Sequence, residues 1–309
     1  MEDRDNIYLV VTATGDAGGL SELTRALHGR EVPKALAMIA SEGSLLQQTV
    51  KSFSSALEFQ KVVVLVPKCD EASARNQLEG WCGVEVVAVP QGHGGACALL
   101  LVLSEILLES PQAEIVVISA ECYLPHPRPF IEAVLRARVQ LGLVPAVLLG
   151  AAATGPKPGQ RWLVPGVRLG EEVFGLVDAP IPRSEEECVA LHKEGAMWNT
   201  SAFVARGPSL LRVLARAMPL RAEAIAQAWR TGRSSLSEGS QALAALPASA
   251  CAREPDELMI HDISNIAVAR VEGAGWNDWR TPEQVFHSLP NRFELGWLLS
   301  RLSKTLSAH

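Results

Sequence analysis

The stretch Ala13-Thr-Gly-Asp-Ala-Gly-Gly19, with Pro33-Lys34 behind it, follows directly on an apolar run at residues 7–11. A small-residue turn after a buried strand, with a lysine just past the next helix, is how an α/β sheet offers backbone N–H groups and a cation to a phosphate. The spacing predicts a nucleotide-binding fold.

Working outward, β-branched runs recur at residues 62–66, 84–89, 115–118 and 144–149, each separated by enough chain for a helix. They are continuously apolar rather than alternating, which implies strands covered on both faces and a mostly parallel sheet with crossover helices. The predicted class is α/β, doubly wound, with helices on both faces. Leu45, Leu46, Val50, Phe53 and Leu57 share one helical face behind Ser44, and Pro127 opens an apolar-periodic segment at 130–139. Ser184-Glu-Glu-Glu187 fits a capping box. Gly155-Pro-Lys-Pro-Gly159 reads as a loop, after which a smaller α+β region is expected, with strands at 173–177, 202–204 and 266–271. The Ala/Ser-rich segment 234–252 receives no assignment. The expected organisation is one domain over 1–309, with a nucleotide-binding half at 1–150 and a second half at 151–309.

Composition narrows the function. The 309 residues are 48% hydrophobic, enough for one large core, and the net charge is −6 with basic residues scattered, which argues against a nucleic-acid partner. The start, Met1-Glu-Asp-Arg-Asp-Asn6, is acidic where an export signal would be basic and then apolar. The greasiest stretch, 96–108, contains Ser104 and Glu105 and is shorter than the roughly 20 residues of a membrane span, so it reads as a buried helix. No membrane association is expected, and the expected location is cytoplasmic. Six cysteines (Cys69, Cys82, Cys97, Cys122, Cys188, Cys251) form no C-x-x-C pair, which favours reduced thiols over disulfides or zinc; Cys97 and Cys122 read as small buried hydrophobes.

Several segments in order resemble the sugar-1-phosphate nucleotidyltransferases, most closely the mannose-1-phosphate guanylyltransferases. They are the opening from Val10 to Leu20, Leu23-Thr-Arg25, Pro33-Lys34 and Ser44-Leu-Leu-Gln47, then Pro90-Gln-Gly-His-Gly-Gly-Ala96, Val117-Ile-Ser-Ala-Glu121, Arg161-Trp-Leu-Val-Pro-Gly166, Trp198-Asn199 and Gly275-Trp-Asn-Asp278. The resemblance runs from about residue 7 to 285 and implies a nucleotide-diphospho-sugar transferase-like fold of catalytic-core-only architecture. The implied reaction joins a nucleoside triphosphate, GTP first, to a sugar 1-phosphate with release of pyrophosphate. Positioning and charge neutralisation dominate such phosphoryl transfers.

By the same resemblance Lys34 is the catalytic lysine. Glu121 and Asp278 are the oxygen donors for Mg²⁺, which favours octahedral carboxylate and water ligation. Ala13, Thr14, Gly15, Gln91, Gly92 and Gly94 line the nucleotide, while Asp178 and Asn199 face the sugar. His93 replaces a polar family residue in the base-contacting loop and reads as an exposed side chain. Arg161 to Gly166 stands where the family has an aromatic turn on the sugar side.

Other positions depart from the family pattern. Gly19 stands where the family carries an arginine, whose equivalent in other phosphoryl transfers is worth roughly 10³ to 10⁵ in rate. Thr14 and Ala17 replace glycines, and Ala179 replaces a lysine. Arg25 or Arg30 would be the substitutes for the missing arginine. Two functions stay open: a transferase making GDP-mannose, and a catalytically silent relative that senses a sugar nucleotide or regulates an active paralogue. A homo-oligomer stays open as well, as does a purely structural partner.

Overall fold

The computed structural model describes residues 6–90, 92–230, 236–247, 254–261, 265–289 and 291–306. The strands are β1 (Ile7–Thr12), β2 (Lys61–Pro67), β3 (Val84–Val89), β4 (Glu114–Ser119), β5 (Ala146–Ala152), β6 (Trp162–Gly170), β7 (Val173–Asp178), β8 (Met197–Arg206) and β9 (Ile266–Val271). Between and after them come α1 (Ser21–His28), α2 (Leu45–Ser54), α3 (Glu71–Gln77), α4 (Gly95–Glu109), α5 (Pro127–Gln140), α6 (Glu185–Lys193), α7 (Gly207–Ala217), α8 (Pro219–Arg230), α9 (Leu236–Ala244), α10 (Pro255–Ile260), α11 (Pro282–Ser288) and α12 (Arg292–Leu306).

The strands form one sheet in the order β3-β2-β1-β4-β8-β5-β9-β7-β6. The first four are parallel and so are β5 and β9, while β8 runs antiparallel to both β4 and β5. Pleating sends alternate residues of each strand to opposite faces. Leu9, Val11, Val62 and Val64 join a core with Leu23 of α1, Leu46 and Phe53 of α2, Phe130 of α5 and Leu298 of α12. Tyr8, Val10, Val63 and Leu65 face the other way, toward Leu99 and Leu103 of α4, Leu210 of α7, Ile225 of α8 and Leu243 of α9. Both faces are therefore covered, which is why the strands read as unbroken apolar runs.

Local signals explain the main helix starts. Ser44 accepts from Gln47 N while Gln47 returns a side-chain bond to Ser44 N, a complete capping box for α2. At α6 only half of the expected box forms: Ser184 accepts from Glu187 N, but the Glu187 carboxylate reaches Arg183 N instead. Helix α4 has Gly94 as its N-cap and is buried continuously from Gly95 to Leu103, as the apolar run at 96–108 predicts. Within the unassigned segment 234–252 lies α9; Cys251 lies outside the described residues.

The segment from Arg161 to Gly166 is corrected by the structure. From Trp162 it is strand, pairing with β7 and, at Trp162 and Leu163, with β8. Trp162 is fully buried and packs edge-on against Trp198 of β8. That packing draws the residue into the sheet rather than leaving it in a turn.

Candidate functional site

The C-terminal ends of β1 and β4 and the loops before α2 and α11 come together at one place. Lys34, Glu121, Asp278 and Gly15 are all there. The Lys34 ammonium donates to the backbone carbonyl of Asp278 at 2.6 Å, and its own amide reaches Asp16 O at 3.3 Å. Three residues brought from positions 34, 121 and 278 are thus neighbours.

The turn expected to receive a phosphate is taken. Gly15 N donates to Glu121 Oε1 at 2.7 Å, and a Cβ on residue 15 would fall inside van der Waals contact of that carboxylate. Glutamate is one methylene longer than the aspartate expected at this strand end, and the extra length lets it reach the amide. Burial raises the Glu121 pKa, against the opposing pull of Lys34 and the Gly15 N–H. Burial likewise pushes the neighbouring Cys122 thiol up to about 12, so Cys122 is no thiolate nucleophile at neutral pH.

A second carboxylate stands at the start of α4. Glu254 Oε2 would lie 2.7 Å from a Cβ on Gly95, with Thr14 Oγ1 beside the same point at 3.4 Å. Helix N-termini attract anions through their unpaired amides. The Glu254 residue is exposed as a whole, yet its carboxyl is crowded by protein and by Glu121, Asp256 and Glu257. Burial first, then those three like charges, raise its pKa to about 7.

The other expected nucleotide contacts are distributed as follows. Ala13 is buried, with its amide on Leu65 O. Gly92 takes φ 82°, a left-handed conformation that suits glycine, and Gly94 caps α4. Gln91 lies outside the described residues. His93 is buried rather than exposed, 3.9 Å from Cys97 Sγ through Nδ1, and burial together with Arg221 lowers its pKa. A neutral histidine adds no charge there.

On the sugar side Asn199 is committed internally. Its Nδ2 donates to Asp256 Oδ2 at 2.6 Å and its Oδ1 accepts from Ser201 N at 3.1 Å, so its main work is to hold a buried acid whose pKa burial raises. Asp178 is exposed at the end of β7, and its carboxylate turns back onto Ala179 N at 2.7 Å.

Neither expected arginine joins this cluster. Arg25 pairs with Glu31 at 2.9 Å on the exposed face of α1, and Arg30 is exposed beyond that helix. The cations that do join it are Lys157 and Arg280. Lys157 Nζ is 3.3 Å from Asp278 Oδ1 and lies over the rings of Trp198 and Trp276, at 4.2 and 5.1 Å. Arg280 donates through Nε to Asp278 Oδ2 and through Nη2 to Gln160 Oε1. Near Ala179, Arg161 donates to the Ala179 carbonyl at 2.8 Å and pairs with Glu257 at 3.6 Å. Sequence reasoning missed Arg280, although its place two residues past Asp278 could have drawn attention to it. No comparable signal marks Lys157, which sits in a Pro-Lys-Pro loop, or Glu254 and Asp256.

The backbone of Arg280 also explains Gly19. A side chain at position 19 would run into the Arg280 carbonyl. Reinstating an arginine there by Gly19→Arg is expected to lower stability by about 2 kcal/mol through overpacking, without creating transferase turnover. Urea denaturation of the variant, together with a pyrophosphate-release assay, checks both halves.

The arrangement does not fit a magnesium site. Magnesium wants oxygen donors in near-ideal octahedral geometry, but both Asp278 oxygens face cations and one Glu121 oxygen holds the Gly15 amide. Among the described residues no group of three or more His, Cys, Asp or Glu is placed to hold a metal ion.

With this geometry in view, the comparisons with known proteins become specific. A structure described as a mannose-1-phosphate geranyltransferase from Thermus thermophilus superposes with a TM-score of 0.77 at 22% identity, covering 93% of this chain and 80% of the other. The chain has the sugar-nucleotidyltransferase fold. Within that fold, an inositol-1-phosphate CTP transferase from T. maritima aligns at TM-score 0.54 and 14% identity, covering 96% and 95% of the two chains. In sequence, a curated mannose-1-phosphate guanylyltransferase of Salmonella muenchen is 23% identical over 208 residues, which are 64% of this chain and 43% of that relative. The chain therefore matches less than half the length of this curated sugar nucleotidyltransferase. No protein-family model matches it. No helix among the described residues of this sugar-nucleotidyltransferase-like protein is long and apolar enough to cross a membrane.

Proposed function

We propose that this chain is a catalytically silent relative of the mannose-1-phosphate guanylyltransferases, one that binds a sugar nucleotide of the GDP-mannose type as a sensor or as the regulatory subunit of an active paralogue. One observation carries the reading. The two acids a transferase of this kind would set on a metal are already engaged, Glu121 with the Gly15 amide and Asp278 with Lys157 and Arg280. Phosphoryl transfer draws most of its acceleration from positioned charge. A carboxylate lodged in the phosphate-receiving turn opposes that charge and shields the amide.

Guanine and mannose rest on the likeness to the Salmonella relative. Solved neighbours named for UDP-glucose and for CTP chemistry share the fold, so the base is the least constrained part of the reading. Lys34 favours a second reading, a slow transferase, because its ammonium lies on the Asp278 carbonyl and beside Glu121, and a flexible lysine stem suits a charge that follows a phosphate.

Purified protein with GTP, mannose 1-phosphate and Mg²⁺ separates the two. Pyrophosphate release no greater than that of Lys34→Ala is expected, alongside calorimetric binding of GDP-mannose. Release well above that control would establish the transferase, and absence of GDP-mannose binding would remove the sensor.

A further inference from the structure

We infer that Lys34, Lys157 and Arg280 form a diphosphate seat that needs no divalent metal. The inference rests on reading this cluster as a ligand site, and it adds two residues and a charge mechanism to that reading.

All three cations converge on one residue. Lys34 holds the Asp278 carbonyl, Lys157 faces Oδ1 and Arg280 grips Oδ2. The Asp278 carboxylate faces two of the three cations, and Glu121 lies beside the third, Lys34. Glu121 is turned onto the Gly15 amide. Gathering like charges around one carboxylate is unfavourable unless an anion joins them. Three cations against the two acids Asp278 and Glu121 leave one positive charge unmatched within the cluster.

The cations are also held in place. Lys157 is flanked by Pro156 and Pro158, and its carbonyl accepts from Gln160 N and Trp162 Nε1. Its ammonium is wedged between Asp278 and two indole faces, with the side chain only 18% exposed. Arg280 is fixed through Nε and Nη2, while its side chain is 49% exposed and its Nη1 edge has no bond among the described residues. A guanidinium fork with one fixed edge and one open edge is suited to a phosphate oxygen. The Lys34 ammonium has donor capacity beyond its one carbonyl bond. In this arrangement the protein's own cations supply the neutralisation that a metal would supply elsewhere.

Titration of inorganic pyrophosphate in EDTA, followed by calorimetry, tests the seat on the full chain. Wild type is expected to bind, with affinity at least about tenfold weaker in Lys157→Gln and in Arg280→Gln. Arg25→Gln, the same charge change on a distant salt bridge, should bind as wild type does. Arg280→Lys keeps the charge without the fork and should fall between, which preserves the test if Arg280→Gln does not fold. Binding that appears only with Mg²⁺, no binding at all, or equal binding by both glutamine variants overturns the seat. GDP-mannose run in parallel separates the two ideas. If pyrophosphate binds in EDTA and GDP-mannose does not, the seat stands and the sugar-nucleotide reading falls. If GDP-mannose binds but pyrophosphate does so only with Mg²⁺, that reading survives and the seat is lost.

Discussion

Asp278→Asn is expected to destabilise the protein by about 3 kcal/mol, because removing the buried acid leaves the largely buried Lys157 and the half-exposed Arg280 uncompensated. The Asp278 side chain is 11% exposed and faces Lys157 and Arg280 through its two oxygens. Asparagine would offer an acceptor to one cation and present an N–H₂ to the other. The loss should come from repulsion rather than from a missing contact, and a double-mutant cycle reads that directly. Arg280→Gln in the Asp278→Asn background removes one unpaired charge and should recover a large part of the stability. Urea midpoints of the four proteins supply the cycle. If Asp278→Asn costs under about 1 kcal/mol, as exposed pairs do, the network is an ordinary surface feature.

Glu254→Gln should stabilise the protein at pH 8 and leave it unchanged near pH 4. Burial, then Glu121, Asp256 and Glu257, raise the Glu254 pKa from 4.5 to about 7 in the folded state. Between those values the folded protein holds a proton that the unfolded chain has released. The contribution is therefore present below pH 4.5 and is lost as the pH rises through 7. Burial raises the pKa of Glu121 and Asp256 in the same direction, so they steepen the fall. With the Glu254 shift discounted for solvent exposure, the gain at pH 8 is about 1 to 2 kcal/mol. Thermal midpoints from pH 4 to 8 should fall less steeply for the variant than for wild type. Parallel curves would mean that the Glu254 carboxyl titrates as an exposed group does.

How much of this was legible in the sequence follows from the range of the forces involved. Strands β1 to β4 and β9 were visible because their burial on two faces leaves long β-branched runs, and α2, α4 and α5 because caps and apolar period are local. Strand β8 was seen only in part, since its first half carries Trp198, Asn199 and Thr200, whose burial depends on β5 and β6. Lys34, Glu121 and Asp278 were singled out through the family resemblance, and the structure brings them together.

What those groups bond to was not legible. Glu121 meets Gly15 across 106 positions and Lys34 meets Asp278 across 244, and no local pattern records such closures. Asn199 illustrates the same limit. Its type suits a sugar hydroxyl, but Asp256, 57 positions away, takes its amide. Arg280 was hidden differently, because the glycine at 19 marks a lost side chain while giving no sign that the Arg280 backbone fills the space.

The most direct measurement is a crystal structure of the protein with GDP-mannose. The account predicts the diphosphate against Lys34, Lys157 and Arg280, with Asp278 still bound by its cations and no metal between it and Glu121. A metal ion bridging those two carboxylates, with Lys157 and Arg280 turned away, would contradict it.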